Sequence, residues 1–556
     1  MRASESSWEQ TSTPSFVSRT SVYTAWRPSL AAQTNGATEK SGNGDDYETI
    51  VSNCIVTCCV NTFDGGKNGA AVALFGNNLM VDSVICGNSS TVTNGAGVIV
   101  VNKSGLTVDD LGWPKMLRCR IEGNSSAKDG GGVYVAANVL DKTTTGGGTA
   151  VELEDCEIVG NVSAGDGAGV YCPDKLNVAM TRCTISGNEA GGAGGGVRIE
   201  KSVVKMADCL VCDNSANYGA GADMSPSSPN AIATLFCTNT TFRGNTAAAG
   251  CGGGVRIMKY AKAYFDDCRF EGNAAEWPAG QSAKADTGGG GIWMSNQGQG
   301  SGDVVYGYCA ASNCVFASNT TGGRGGGMGC TWNTNFCGAV VNCVFTNNAS
   351  RFQGGGLCIR EAVANPNPAV IRNSLFAFNR TTYTADAQDT SDASGGGILL
   401  VTRSGGLVVE NCTVVSNAVG LTKNTVSGGI HHRWGGTLKN CIIAFNIVNG
   451  EPESADSWAG MTPDCYDHCC GWPSNSVTVA KFSPEYGSTI ADPRFEDPAG
   501  GDFSLRAGSP CRNRGANAAW MESALDLAGN PRISGDAVDI GCYERPKTYG
   551  LALFVK

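Results

Sequence analysis

The chain has 556 residues, of which 78 are Gly and 26 are Cys; only 16% are charged, the net charge is −10 and the pI is about 5.0. That balance excludes the basic footprint of a nucleic-acid binder, and no stretch reaches the roughly 20 apolar residues of a membrane span. Glycine at about 14% is twice the usual ~7%, but it recurs at fixed places, which excludes a flexible Gly-rich linker.

Residues 1–50 are rich in Ser and Thr and lack a basic stretch followed by an apolar one, so no secretory signal is readable. They are expected to be disordered or to cap the repeats beyond them. A degenerate first turn runs from Asp45 to Cys59.

From 51 to 446 one pattern returns about a dozen times. Met116 to Val135, MLRCRIEGNSSAKDGGGVYV, shows its parts: an apolar residue, a polar corner followed by Cys-x-apolar, an Asn three residues later, and a glycine run closing on a short apolar strand. The copies end at Asn88, Asn124, Asn161, Asn188, Asn214, Asn245, Asn273, Asn319, Asn348, Asn379, Asn417 and Asn446, spaced from 26 to 46 residues. A short fixed core with variable spacers marks a stacked-repeat fold, because insertions enter only at the turns.

Five residues before that Asn stands Cys119, Cys156, Cys183, Cys209, Cys268, Cys314, Cys343, Cys412 or Cys441; Ser83, Thr240 and Ser374 take the place in three copies. A small buried side chain is wanted there. Two states fit it: reduced Cys is a small hydrophobe, and rungs about 4.8 Å apart also lie within the Cα separations of a disulfide. Because Ser or Thr interrupts the series, we expect a column that is not cross-linked.

The residue before that position is Asp or Asn in ten of twelve copies, and these residues tolerate the left-handed conformation that a one-residue corner requires. Each copy therefore reads as three short strands: one after the glycines, one leading to the corner, and Cys-x-apolar. Stacked in parallel they make an all-β fold, a parallel β-helix of about 12 rungs. Residues 447–490 read as a Cys-rich irregular segment. Cys465, His468, Cys469 and Cys470 there have the chemistry of zinc ligands, but adjacent cysteines do not form the usual paired C-x-x-C arrangement, so no metal is expected. Residues 491–545 are dense in turn formers and read as a terminal cap over the open end, with 546–556 as a tail.

The alternation of FRGN, FEGN, FASN, FTNN and FAFN with GGGV, GGGI and GGGL resembles the repeats of polymorphic outer-membrane proteins, which implies a bacterial surface adhesin. The Asp/Asn corner resembles the asparagine ladder of pectate-lyase-like folds, which implies a right-handed coil. Asp526, Gly529, Asn530, Arg532, Val538 to Gly541, Tyr543 and Glu544 resemble the C-terminal motif of choice-of-anchor Q proteins. The chain departs from the first family in having no outer-membrane barrel, and from the last in having only RPKTYGLALFVK after the motif.

The resulting expectation is an exported, monomeric surface protein that binds a polysaccharide or a host or neighbouring cell, with no cofactor, metal or nucleic acid. In the first strand, the residue after the closing apolar position should point outward; Tyr134, Tyr171, Arg198, Asp223, Arg256 and Trp293 would then form a ligand-binding row walled by loops at 136–149 and 274–287. The alternative is a polysaccharide lyase or glycoside hydrolase on the same face, with Asp386, Asp389, His431, His432 and Arg433 as weak catalytic candidates.

Overall fold

The computed structural model describes residues 16–24, 30–32, 49–62, 70–75, 78–101, 114–136, 151–174, 176–228, 232–277, 287–295, 307–330, 337–360, 369–382, 394–402, 407–420, 427–433, 435–452, 462–474 and 481–546. Strands dominate them, in three long sheets of almost entirely parallel neighbours. The fold is a parallel β-helix, and parallel crossovers of this kind are right-handed in nearly all proteins.

The strand before the corner and the strand after it share one 29-stranded sheet, here the long sheet, which bends along the corner. The strands after the glycine runs form a 13-stranded glycine sheet. A third, 14-stranded sheet is built by strands of mostly two residues that directly follow the repeat Asn, such as Ser125–Ser126 and Thr320–Thr321. These are too short to show an alternation in the sequence.

Left-handed backbone makes the bends. Asn and Asp at the corner have positive φ, for example 55° at Asp208 and 54° at Asn342; Arg118 and Arg182, the two exceptions in type, do the same at 50° and 51°. Each of these arginines forms a two-point ion pair with the corner carboxylate of the preceding rung, Asp82 or Asp155, although these sites are solvated and the pairs add little to stability. A second left-handed residue immediately precedes the repeat Asn, and in six copies it is Gly, as at Gly123 and Gly160.

Two buried columns of polar side chains hold the rungs together. The repeat asparagines, not the corner residues, form the continuous internal ladder. Asn124 Nδ2 donates to Asn161 Oδ1 at 2.9 Å and to Ile85 O at 3.0 Å, while the Asn124 backbone N–H donates to the same Oδ1 at 3.0 Å. The side-chain link repeats without a break from Asn88 to Asn446. Thus each Asn satisfies backbone groups that the bend would otherwise leave orphaned in the interior.

The second column is the Cys/Ser/Thr position, and its hydrogen bonds explain the exchange among three residue types. Ser374 Oγ donates to Arg372 O at 2.8 Å and accepts the Cys343 N–H at 3.0 Å; Cys343 Sγ likewise donates to Val341 O at 3.2 Å. What the corner needs is a small X–H group. The described cysteines of this column are free thiols.

Between the columns lies the apolar core, including Phe242, Phe270, Phe316, Phe345 and Phe376, stacked in turn at 5.1, 4.8, 4.4 and 4.7 Å.

The coil is longer than the repeat. Phe16–Thr24 pairs in parallel with Thr49–Thr57, and Leu30–Ala32 with Val72–Phe75, so these parts of the first 50 residues continue the sheets. The degenerate turn is itself a rung, with its corner at Asn53 (φ 52°) and Cys54 in the column. Beyond 446, Tyr466–Asp467 and Cys470–Trp472 extend the long sheet without any repeat motif, and Ser488 Oγ accepts the Cys469 N–H at 2.9 Å to continue the column. Tyr466 and Phe482, with rings 5.1 Å apart, belong to the core at this end.

The C-terminal segment does not cap the open end. Phe495, Phe503, Leu505, Cys511, Ile540 and Cys542 lie on Leu375, Ala377, Val415, Ile442, Ala444 and Cys470, along the outer side of the last rungs. Corner side chains bind its backbone: Asn373 Nδ2 donates to Leu525 O, Asn411 Nδ2 to Asp539 O and Asn440 Nδ2 to Ala516 O. Its motif residues form the dock. Fully buried Arg532 donates to Asn373 Oδ1 and to the carbonyls of Asp539 and Gly541, while Asp526 and Glu544 accept backbone N–H groups within the segment. Burial pushes the Glu544 carboxyl up to about 7.

Candidate functional site

The parallel register sets Tyr134, Tyr171, Arg198, Asp223, Arg256 and Trp293 in one row on the outer side of the glycine sheet. The row is not open to solvent: Asp223 and Trp293 have no accessible surface, and Tyr134, Tyr171 and Arg198 are below 9%. One cause is local. Four residues before each of Tyr171, Arg198, Asp223, Arg256 and Trp293, a left-handed Gly folds the chain back over the strand; a Cβ on Gly194 would lie 2.7 Å from the Arg198 Cβ. The loops proposed as walls fall mostly outside the described residues.

Under this cover the charges pair with one another. Asp223 accepts from both Arg198 and Arg256, and from Ser225 Oγ at 2.7 Å. Arg198 also reaches Asp166 at 3.0 Å and Glu200 at 3.2 Å, and Tyr171 donates its hydroxyl to Glu200 at 2.9 Å. Burial alone would raise the Asp223 carboxyl, but the Arg256 and Arg198 guanidiniums outweigh it and hold the group below its ordinary value. Burial pushes the Tyr134 hydroxyl up to about 12. The arrangement turns these charges toward one another and binds rung to rung.

The described catalytic candidates do not face one way. His431 continues the covered outer row, paired with Leu399, whereas His432 faces the other way, in register with Leu400 and the core. Burial lowers the His432 imidazole to about 4, and its Nε2 meets the Gly435 carbonyl. Arg433 is exposed, and Asp386 and Asp389 lie outside the described residues. Cys469 and Cys470 also diverge: one thiol enters the inner column and donates to Leu438 O, while the other donates to Ala491 O beneath the C-terminal segment.

The open surface with ligand-binding character lies on the strands before the corner. Phe236 is 39% exposed and stacks on Tyr264 at 4.8 Å with an interplanar angle of 11°; Tyr264 meets Tyr308 at 5.2 Å and 39°. Among the in-register neighbours of this run, Ala310 beside Tyr264 is short, while Lys262, itself beside Thr234, pairs with Tyr308. Lys205 is in register with Phe236 at one end of the run. Stacked rings turn their edges outward, and aromatic rings suit the apolar faces of sugars. The alternation of ATLFCT and AKAYFD carries this signal, with Phe236 and Tyr264 outward on their strands, but nothing in it says that these positions stay uncovered while those of the glycine strands do not.

No family model matches the sequence, and no curated protein is similar to it. Among solved structures, one similar chain is described as a mannuronic acid specific polysaccharide family 6 lyase enzyme from human gut microbiota, at 10% identity over 76% of this chain and 87% of that one, with a TM-score of 0.26. A superposition that loose carries no argument about chemistry. No helix among the described residues is long and apolar enough to cross a membrane.

Proposed function

We propose that the protein is an exported bacterial cell-surface β-helix that binds glycans through the strip Phe236, Tyr264 and Tyr308. The observation that supports this reading is an exposed ring, Phe236 at 39%, stacked on a half-buried Tyr264 that in turn meets a half-buried Tyr308 on the same sheet, whereas large aromatics usually bury themselves. The stacked rungs make the strip a preformed surface, so little ordering cost accompanies binding.

The test is affinity electrophoresis of the full chain through gels containing single polysaccharides. Retardation by at least one polymer is expected, together with loss of it in a variant carrying Phe236→Ala and Tyr264→Ala that still melts cooperatively. Unchanged retardation in that variant would remove the strip from the reading. Assaying the same mixtures for reducing ends and unsaturated products gives the outcome for the enzymatic alternative, since a pure binder yields neither. Surface exposure is tested separately by protease shaving of intact cells.

A further inference from the structure

We infer that the strip selects anionic glycans, polymers bearing carboxylate or sulfate groups, with Lys205 and Lys262 as the residues that read the charge. The inference rests on the glycan reading of the strip. Its ground is how the cations of this surface are partnered. On the strands before the corner, Lys115 pairs with Glu154 at 2.7 Å, Arg372 with Glu410 at 2.6 Å and Lys439 with Asp467 at 3.7 Å. Lys205 and Lys262, the other two cations with described side chains on those strands, have no ion pair or hydrogen bond among the described residues. Both flank the rings: Lys205 is in parallel register with Phe236, and Lys262 with Tyr308.

The two lysines are two rungs apart, roughly 9 to 10 Å along the stack at about 4.8 Å per rung, and on the same outer face, with Lys262 offset by two strand positions from the row of Lys205, Phe236 and Tyr264. A chain laid along the rings would thus meet a positive charge at its start and another further on. An ammonium is a compact, mobile charge that suits an anion presented by a flexible polymer. Of the acids on this face, Asp266 lies on the corner side of Tyr264 and accepts from Asn313 Nδ2 at 2.8 Å, Asp208 at the corner accepts from Asn239 at 2.7 Å, and Glu152, two rungs before Lys205 in the same register, is paired with Lys115 at 3.6 Å. Asp266 and Asp208 bound the track on one side, and none of these acids pairs with Lys205 or Lys262. In a chain of net charge −10, such a local positive strip also gives an anionic polymer one preferred place to approach.

The probes are polygalacturonate, dextran sulfate and neutral dextran, each cast in native gels and run with the full-length chain. Wild type should be retarded by one or both anionic polymers and not by dextran, and the retardation should fall as salt rises. Which of the two anionic polymers retards it separates carboxylate from sulfate. Lys205→Gln with Lys262→Gln should weaken that binding roughly tenfold, while Lys115→Gln, an ion-paired lysine on the same sheet, should not. Retained binding in the double variant, or equal retardation by dextran, overturns this inference and leaves the glycan reading standing. A wild type that no polysaccharide retards overturns both.

Discussion

The outer side of the glycine sheet and the outer side of the long sheet are built by the same stacking rule, yet the first is closed over Arg198 and Asp223 while the second leaves Phe236 exposed. On the first, Arg198, Asp223 and Arg256 lie in register under a chain that doubles back at a left-handed glycine. On the second, Phe236 and Tyr264 lie in register, the first 39% exposed and the second half-buried. Strand parity thus tells which way a side chain leaves the sheet, but not whether solvent is there to meet it. The cover comes from the connection, and the two connections differ in sequence: a glycine run on one side, a single Asp or Asn on the other.

The sharpest way to break this comparison is to remove the buried charge. Asp223→Ala leaves two guanidiniums under cover without their shared partner, and a loss of about 3–5 kcal/mol is expected, measured by urea unfolding. A cost below 1 kcal/mol would mean that water reaches the row and that it is not closed.

Acid should act on the closed sheet as well. The folded-state His432 imidazole is depressed to about 4 by burial from the usual 6.5, so the unfolded chain binds the proton more readily. Stability from this group is complete above pH 6.5 and is lost as the pH falls toward 4, by about 3 kcal/mol in all. His432→Gln should flatten the decline between pH 7 and pH 4.5; parallel declines in both proteins would contradict it.

Gly194→Ala tests the cover itself. Its φ of 72° and the approach of its missing Cβ to Val197 O and Arg198 Cβ, both 2.7 Å, should cost about 1–3 kcal/mol and increase protease cleavage near 194. A melting curve identical to wild type would show that the turn does not press on the row.

The smallest effect belongs to the open face. Phe236→Ala should shift stability by no more than about 0.5–1.5 kcal/mol, since a half-exposed ring in a stacked pair contributes little beyond that pairing. A large loss by the same unfolding assay would mark the strip as part of the fold and not a surface for binding.

Much of the architecture was legible because its determinants are periodic. The Asn of each copy, the Cys/Ser/Thr position and the Asp or Asn corner each repeat a local hydrogen-bond or backbone need, so the strands on both sides of the corner could be read directly. The sheet of two-residue strands was not legible, since a pair such as Ser125–Ser126 has no periodicity. Nor was the docking of the C-terminal segment, which depends on contacts between residues as distant as Arg532 and Asn373. A hint was present in hindsight: the outward residues after the corner change from Arg120 and Glu157 in early rungs to Leu375 and Ile442 where the segment lies. The binding row failed for a different reason, because burial by a neighbouring turn is a three-dimensional property that alternation along one strand does not encode.

The asparagine ladder also has a direction. Each carboxamide gives its proton toward the next copy and takes one from the copy before, so every rung borrows an acceptor that the chain has not yet produced when that rung leaves the ribosome. Growth from the N-terminus always exposes one hungry edge, which moves forward a rung at a time. The motif-free rung after Asn446, with Ser488 completing the neighbouring column, lies where that advance stops, so a nascent chain halted before it would carry a live edge able to add a strand from any chain nearby.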